Sequence, residues 1–549
     1  MLRKLMLITL LLVTLPLQAQ DNSKPFILPM KDPPGASTWL LGQPYGNTIG
    51  AYLRGADWYE AGQRLHFGLD FSMECGTELI AMADGEVAFV DDLGFGSGPH
   101  NLLIRHPAAG VIALYGHLRE RPLLVPGQAV TQGQTVGFSG DPDVTCDSRP
   151  HLHLEIRSLD YFTTYNPVDY IAANWHMLAS MGGFRYPLFQ QDLDNARQWM
   201  SIDDQPPVQF GGRALNAYAA TYPDWNVGLP PTNPPLAVTP APLADTATFA
   251  IRRFGYDGCC AGAWWNPLDP SRLFVIDGAP NQRAAIFEFS ATDSSIFNLI
   301  GQAPPPLTSP DGTHQVARVN GQIIIRRLTD NVEWTVDTSD TIPAFSTDNS
   351  RLLWQISPEV ITAGENPVEV WISDTNGGNQ RLIRAEENVS AQWLDEARLL
   401  IARREAITTT LRVIDTNDGS ETLLGAWDWL RGLSIAPGGD RLMFYLVYDD
   451  ETSGVYSLRT DSGAPAERMP FFGAWRWRDA ESVFYLPYTA DAQYHTLSYY
   501  HLPSGDNRAF VTEPFLVANG DWSVSPDGMR IIFLNALDRT LGLIELRPV

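Results

Sequence analysis

Residues 148–158 read SRPHLHLEIRS. In a β-strand side chains alternate between two faces, so Leu152, Leu154 and Ile156 would point one way and His151, His153 and Glu155 the other. The apolar face predicts burial in a core. The imidazole face predicts chemistry, because a chain with only ten histidines places two of them one residue apart here.

Working outward, six of the ten histidines fall between positions 66 and 153: His66, His100, His106, His117, His151 and His153. LHFGLDF (65–71) sets His66 four residues before Asp70, and its Gly68 favours strand or loop over helix. LYGHLRE ends an alternating run on His117. His106, beside Pro107, reads as structural, and His100 has no assigned role. Taken singly, an HxH strand face is most often hydrogen-bonded or solvated. Together, His66, Asp70, His117, His151 and His153 match what hydrolysis at zinc needs. Three N and O ligands leave a fourth position for water, and other groups move protons and stabilise an oxyanion. The pattern by itself does not say which of His151 and His153 is the ligand.

QPYG, HFGLD, YGHL and RPHLHLE, in this order and spacing, resemble the LytM/lysostaphin-type metallopeptidases, peptidase family M23. The resemblance covers about residues 38–170. It implies zinc ligation by His66, Asp70 and His153, and catalytic roles for His117 and His151. It also implies a peptide of bacterial peptidoglycan as substrate. All five positions are kept, as in an active enzyme. TCDSRPHLH stands where the family usually carries a small Gly-rich stretch, which bears on substrate preference.

The whole chain has 549 residues, too many for one core, with 44% hydrophobic residues and 16 Trp. Its formal net charge is −25, and Lys occurs only at positions 4, 24 and 31. No basic patch offsets that charge, so no nucleic-acid partner is expected. MLRKLMLITLLLVTLPLQAQ (1–20) combines a basic start, an apolar run too short to span a bilayer and a small residue at Ala19. It predicts a signal peptide, export to the periplasm, cell surface or medium, and no membrane span after cleavage. Export permits disulfides. Cys75 lies five residues after Asp70 and Cys146 five before His151. A 75–146 bridge would pin the loop before His151, two buried thiols being the alternative. Cys259 and Cys260 would form a vicinal bridge, pair elsewhere or stay reduced.

Residues 36–176 are dense in Gly turns and alternating runs, and predict a small antiparallel β-sheet domain. Residues 177–245 form a connecting region, in which FQQDLDNARQWM (189–200) suggests a short helix. GLPPTNPPLAVTPAPLAD (228–245), with six prolines, predicts an extended spacer that holds the next domain at a distance. From 246 to 549 a turn–strand unit recurs, as in TSPDGTHQVAR, IAPGGDRLMFY and VSPDGMRIIFL. Aligned on Arg272, His314, Arg351, Arg398, Arg441, Ser482 and Arg530, the spacings are 42, 37, 47, 43, 41 and 48. This period predicts a β-propeller, of seven blades or alternatively six. TATFAIRRF (246–254) would supply the strand that the last unit lacks. The SPDG and DTNGG turns resemble TolB-like and WD40-like repeats.

The fold class expected is therefore all-β, a peptidase-like domain followed by a propeller. The function expected is that of an exported zinc endopeptidase whose propeller binds an unknown protein or glycan. The alternatives are a non-enzymatic envelope scaffold that regulates another wall hydrolase, and cleavage of a protein outside the wall.

Overall fold

The computed structural model describes residues 24–58, 63–182 and 188–222, and all of 239–547 except 241–242, 245–246, 256–258, 261, 280, 294–296, 302–306, 358–366 and 462. Residues 1–20, read above as a signal peptide, and most of the proline-rich spacer lie outside the described residues.

Among the described residues, 39–165 hold ten strands in chain order. They are β1 (Trp39–Leu41), β2 (Leu69–Met73), β3 (Glu78–Ile80), β4 (Gly85–Val90), β5 (His100–His106), β6 (Val111–Leu118), β7 (Ala129–Val130), β8 (Thr135–Phe138), β9 (His151–Ser158) and β10 (Thr163–Tyr165). The main sheet runs β1-β2-β9-β6-β5-β4-β7, with β10 and a strand at Val208–Gln209 beside it, and β3 pairs separately with β8. All these pairings are antiparallel. β9 is central, and Leu152, Leu154 and Ile156 are fully buried in the core, as alternation requires. That core also draws on Phe26 and Met30 from before the sheet and on Phe189, Ile202 and Val208 from after it.

Two short helices, Ile49–Trp58 and Trp175–Gly182, break the β pattern. The helix suggested at 189–200 does not form. Gln191–Asp192 pairs with Thr221–Tyr222 instead. The Asp192 side chain accepts from Asp194 N and Gln198 Nε2. Such local side-chain bonds compete with the helical ladder.

Residues 248–547 form seven four-stranded antiparallel sheets, the blades of a propeller. Six are consecutive in sequence. The seventh takes Val517–Val524, Arg530–Asn535 and Leu541–Arg547 from the C-terminal end and Thr248–Phe254 from the beginning. Thr248–Phe254 pairs with Leu541–Arg547 over seven residues, so this blade joins the two ends of the propeller and leaves no open edge between them. The repeated turn has a local cause. Asp311, Asp348 and Asp527 each accept the backbone N–H two residues on, while Ser309, Ser346 and Ser525 cap the start of the next strand. Gly312, Asn349 and Gly528 supply the positive φ that these turns need.

One expectation is overturned: the propeller is not held away from the first domain. Leu40 and Met181 are buried in one cluster with Met443, Tyr445 and Val447 of the propeller. Leu193, Ala196 and Met200 pack on Ile276, Ala284 and Ile286. Helix Trp175–Gly182 lies against Val517–Val524, where a Cβ on Gly520 would come within 3.3 Å of Ala179 O. Asn519 accepts from Ile202 N and donates to Met200 O, and Arg197 makes a bidentate pair with Asp277. The connecting region is apolar on both sides: Phe189, Ile202 and Val208 join the first core, while Leu193, Ala196 and Met200 are buried against the propeller.

Two outcomes follow from this packing. Calorimetry of the full-length protein should show one cooperative unfolding transition rather than two, and a chain ended near Pro230 should bind a hydrophobic dye or aggregate, because it bares Leu40, Met181 and Met200. Two well-separated transitions would contradict the shared core. His495 gives a pH signature. Its Nδ1 accepts from Val517 N, and burial, with His176 adding to it, pushes its pKa down to about 3. A depressed histidine contributes stability above its unfolded pKa near ~6.5, and that contribution drains as pH falls toward about 3. His495→Gln should flatten the stability–pH slope between those values in urea titrations.

Candidate metal centre

β9 lies between β2 and β6, and register brings their polar groups together. Asp70 pairs with His153, Ser72 with His151, and Gly116, next to His117, with His153. His66 is not on β2 as a strand reading of HxxxD would have it. It precedes the strand and is held by reciprocal backbone hydrogen bonds with Gly46. His117 sits near the end of β6 at φ 54°, and its N–H donates to Ser97 O.

Three atoms converge. His153 Nδ1 lies 2.8 Å from Asp70 Oδ1, His66 Nε2 lies 3.1 Å from the same oxygen, and the two nitrogens are 3.2 Å apart. The opposite nitrogens are engaged elsewhere. His66 Nδ1 donates to Pro44 O at 2.8 Å, and His153 Nε2 donates to Glu155 Oε1 at 3.1 Å. Both rings therefore present acceptor nitrogens to a carboxylate oxygen, an arrangement that only positive charge between them makes favourable. Burial would lower the His153 pKa, but Asp70 and Glu155 overcome this and raise it to about 9. Burial likewise disfavours the Asp70 carboxylate, yet His66, His151 and His153 hold its pKa well below the usual range. Two imidazoles and one carboxylate are the donor set of an open divalent site, so His66, Asp70 and His153 fit a metal ion. Among the described residues, the other group of metal-binding residue types is Cys259, Cys260 and Asp277, and its two cysteines are joined to each other in a disulfide.

His117 and His151 stand beside the triangle, their rings 4.7 Å apart. His151 Nδ1 donates to Arg149 O at 2.6 Å, and His117 Nδ1 donates to Gly98 O at 2.5 Å. His151 thereby turns Nε2 toward the site, 3.7 Å from Asp70 Oδ1. Burial, then His151 and His153, push the His117 pKa down to about 3, and burial lowers that of His151. Both are neutral imidazoles at pH 7, able to accept a proton at Nε2.

Sequence reasoning gave Glu155 no role and did not reach Arg157, although they continue the polar face of β9. Arg157 donates through Nε to Glu155 Oε2 at 2.6 Å, and its guanidinium lies 4.4 Å over the Phe210 ring. Burial opposes the Glu155 charge, but Arg157 and His153 hold its pKa at about 2. A carboxylate behind a ligand histidine fixes its tautomer and raises its basicity. The signal was present: Glu155 and Arg157 extend the His151–His153 alternation by two more steps. His106 is structural, its Nδ1 on Asp84 O and its ring against Phe26. His100 bonds Asp91. Cys75 and Cys146 are joined, their Cα atoms 5.9 Å apart, and the bridge ties the loop before His151 to the end of β2.

Residues 64–169 match the family model "Peptidase family M23". An "Uncharacterized metalloprotease" of Haemophilus influenzae is 37% identical over 92 residues, 17% of this chain and 18% of that protein. The DD-carboxypeptidase/endopeptidase Mpg of Neisseria meningitidis is 38% identical over 94 residues, 17% of this chain and 20% of that protein. Lysostaphin of Staphylococcus simulans is 27% identical over 138 residues, 25% of this chain and 26% of that protein. The chain thus spans only 18–26% of the length of these relatives.

Glu155→Gln should weaken divalent-ion affinity by roughly 10–100-fold, the usual effect of losing such a supporting partner. Competition with a chelator would measure it, and an unchanged affinity would show that Glu155 does not support His153.

Proposed function

With residues 64–169 forming a peptidase family M23 domain, we propose that the protein is an exported zinc-dependent endopeptidase that cleaves peptide bonds of bacterial peptidoglycan. The observation that carries this reading is the convergence of His66 Nε2, Asp70 Oδ1 and His153 Nδ1 beside two neutral imidazoles. His66, Asp70 and His153 would hold the ion. When bound there, Zn²⁺ would polarise the scissile carbonyl and lower the pKa of its water toward ~7.

The chain's own residues do the rest. His151 and His117, their Nδ1 atoms tied to carbonyls, offer Nε2 to take the proton of the attacking water. The imidazolium so formed stabilises the oxyanion and then returns a proton to the leaving amine, so the proton count closes over the cycle. Glu155 and Arg157 keep His153 from turning. The similarity to lysostaphin and to the Neisseria endopeptidase favours a cell-wall peptide as substrate. In this reading the propeller binds or positions the substrate or a partner.

The test is digestion of purified sacculi with mass spectrometry of the released muropeptides. Released peptides with new termini are expected, and none from zinc-loaded protein would overturn the reading. His153→Ala and Asp70→Ala should lose bound zinc by elemental analysis. His117→Ala and His151→Ala should keep it and lose roughly 10²–10⁴ in rate.

A further inference from the structure

The seams between blades repeat with the turns, and one of them lacks a charge. Arg398, the aligned arginine of the fourth consecutive blade (389–428), pairs with Asp395 of its own turn at 2.5 Å and reaches the fifth blade, where Asp440 lies 3.2 Å away and Thr460 Oγ1 accepts at 3.5 Å. Arg351, the aligned arginine of the third blade (344–386), reaches the fourth in the same way. It donates to Thr416 Oγ1 and, at 2.6 Å, to Asn417 Oδ1. The two seams correspond residue by residue: Thr416 N donates to Ala397 O as Thr460 N donates to Asp440 O. Ala397 therefore stands where the next seam has Asp440, and the carboxylate that Arg398 receives from the neighbouring blade is missing at Arg351. Asp348, in the place of Asp395, accepts from Ser346 and Ser350 instead.

A pocket of about 330 Å³ lies at this seam, lined by Arg351 and by a second arginine, Arg381, from the outer strand of the third blade. Ile372, Ser373 and Thr416 are its buried lining residues, and Asn379 and Asn417 are exposed. Arg381 donates to Thr416 O while Arg351 donates to the hydroxyl of the same residue, so one buried threonine holds both guanidiniums. These bonds leave N–H groups of both arginines for a ligand. Among the described residues, neither arginine pairs with a carboxylate. Asp374 also lines the pocket. It stands opposite Arg351 in the register, and its Oδ2 accepts from Asn379.

We propose that this seam binds an acidic sugar, whose carboxylate meets Arg351 and Arg381 in the place that Asp440 fills at Arg398. Charge and polarity decide the class. Two guanidiniums and one carboxylate give the lining a net charge of +1, which a single ligand carboxylate balances, and a guanidinium fork matches that group in two parallel hydrogen bonds. A phosphate monoester carries about −1.5 to −2, which overshoots the balance and is repelled by Asp374. Asp374 accepts only and calls for hydroxyl donors, whereas Asn379 and Asn417 can donate or accept. A ring that bears hydroxyls and one carboxylate meets all of these groups. The volume is at the small end of ligand clefts, which run from ~300 to ~1,000 Å³, and so suits a short saccharide. The inference gives a ligand class to the binding role proposed for the propeller and does not depend on the metal centre.

The experiment is a saturation-transfer NMR titration of the full-length protein with methyl glucuronide, methyl glucoside and propionate. The glucuronide should bind roughly tenfold tighter than the glucoside, the order expected for a charge-assisted bidentate contact, and the gap should narrow with added salt. Propionate has the charge without the hydroxyls and should bind roughly tenfold more weakly than the glucuronide. Ala397→Asp supplies the missing carboxylate from within and should abolish glucuronide binding without lowering the urea midpoint. Arg351→Gln should erase the preference for the glucuronide. Equal binding of glucuronide and glucoside by the unaltered protein, or binding of neither, would overturn the proposal without relying on any variant. So would a preference that survives both substitutions in proteins with unchanged circular dichroism. Propionate binding as tightly as the glucuronide would overturn the assignment to a sugar. Muropeptide release from sacculi is measured separately, so this inference and the hydrolase reading can fail independently.

Discussion

The polar face of β9 is buried, and a buried polar group must find a partner. His153, Glu155 and Arg157 are each less than a tenth exposed, although they point away from the leucine core. No solvent satisfies them, so the strand satisfies itself and its neighbours: Arg157 to Glu155, Glu155 to His153, His153 to Asp70. The chain of contacts runs from an aromatic face at Phe210 to the centre of the site. It leaves His153 with one orientation and the triangle with one shape. The carbonyls of Pro44, Gly98 and Arg149 do the same for the other imidazoles. A site held this way costs little reorganisation when charge develops in it.

The propeller solves a different problem by a related rule. Each blade is a twisted sheet with edges, and the ring leaves no gap between its ends once Thr248–Phe254 joins Leu541–Arg547. Its near face is then covered by the first domain and the connecting region, through Asn519, Tyr448 and the apolar cluster at Met200. The two domains share buried surface as well as a chain connection.

Much of this was legible in the sequence, and what was not has identifiable causes. The alternation of 151–156 gave the strand and its faces, because a period of two survives any tertiary context. The turn repeat gave the blades, because Ser and Asp at fixed offsets build the same turn each time. The closing strand was legible from an unpaired edge. The alternation alone did not choose between His151 and His153, because both share a face; the resemblance named His153, and it is His153 that lies opposite Asp70 in the register. The packing of the propeller on the first domain was hidden for another reason. Six prolines describe the stiffness of a linker and say nothing about whether the surfaces on either side of it are apolar. Leu40, Met181 and Met200 are scattered and show no shared periodicity, so their common burial appears only in three dimensions.

The seventh blade pairs a segment near residue 250 with one near residue 544. Synthesis delivers these strands far apart in time, so the first must wait, exposed along one side, while nearly three hundred residues emerge. Contacts of such long sequence separation form last. The ring is therefore complete only when the final strand arrives, and a ribosome-bound or prematurely ended chain lacks it. The helix Trp175–Gly182, which lies against Val517–Val524 of that blade, is therefore covered only after the C-terminal strands have been made and assembled.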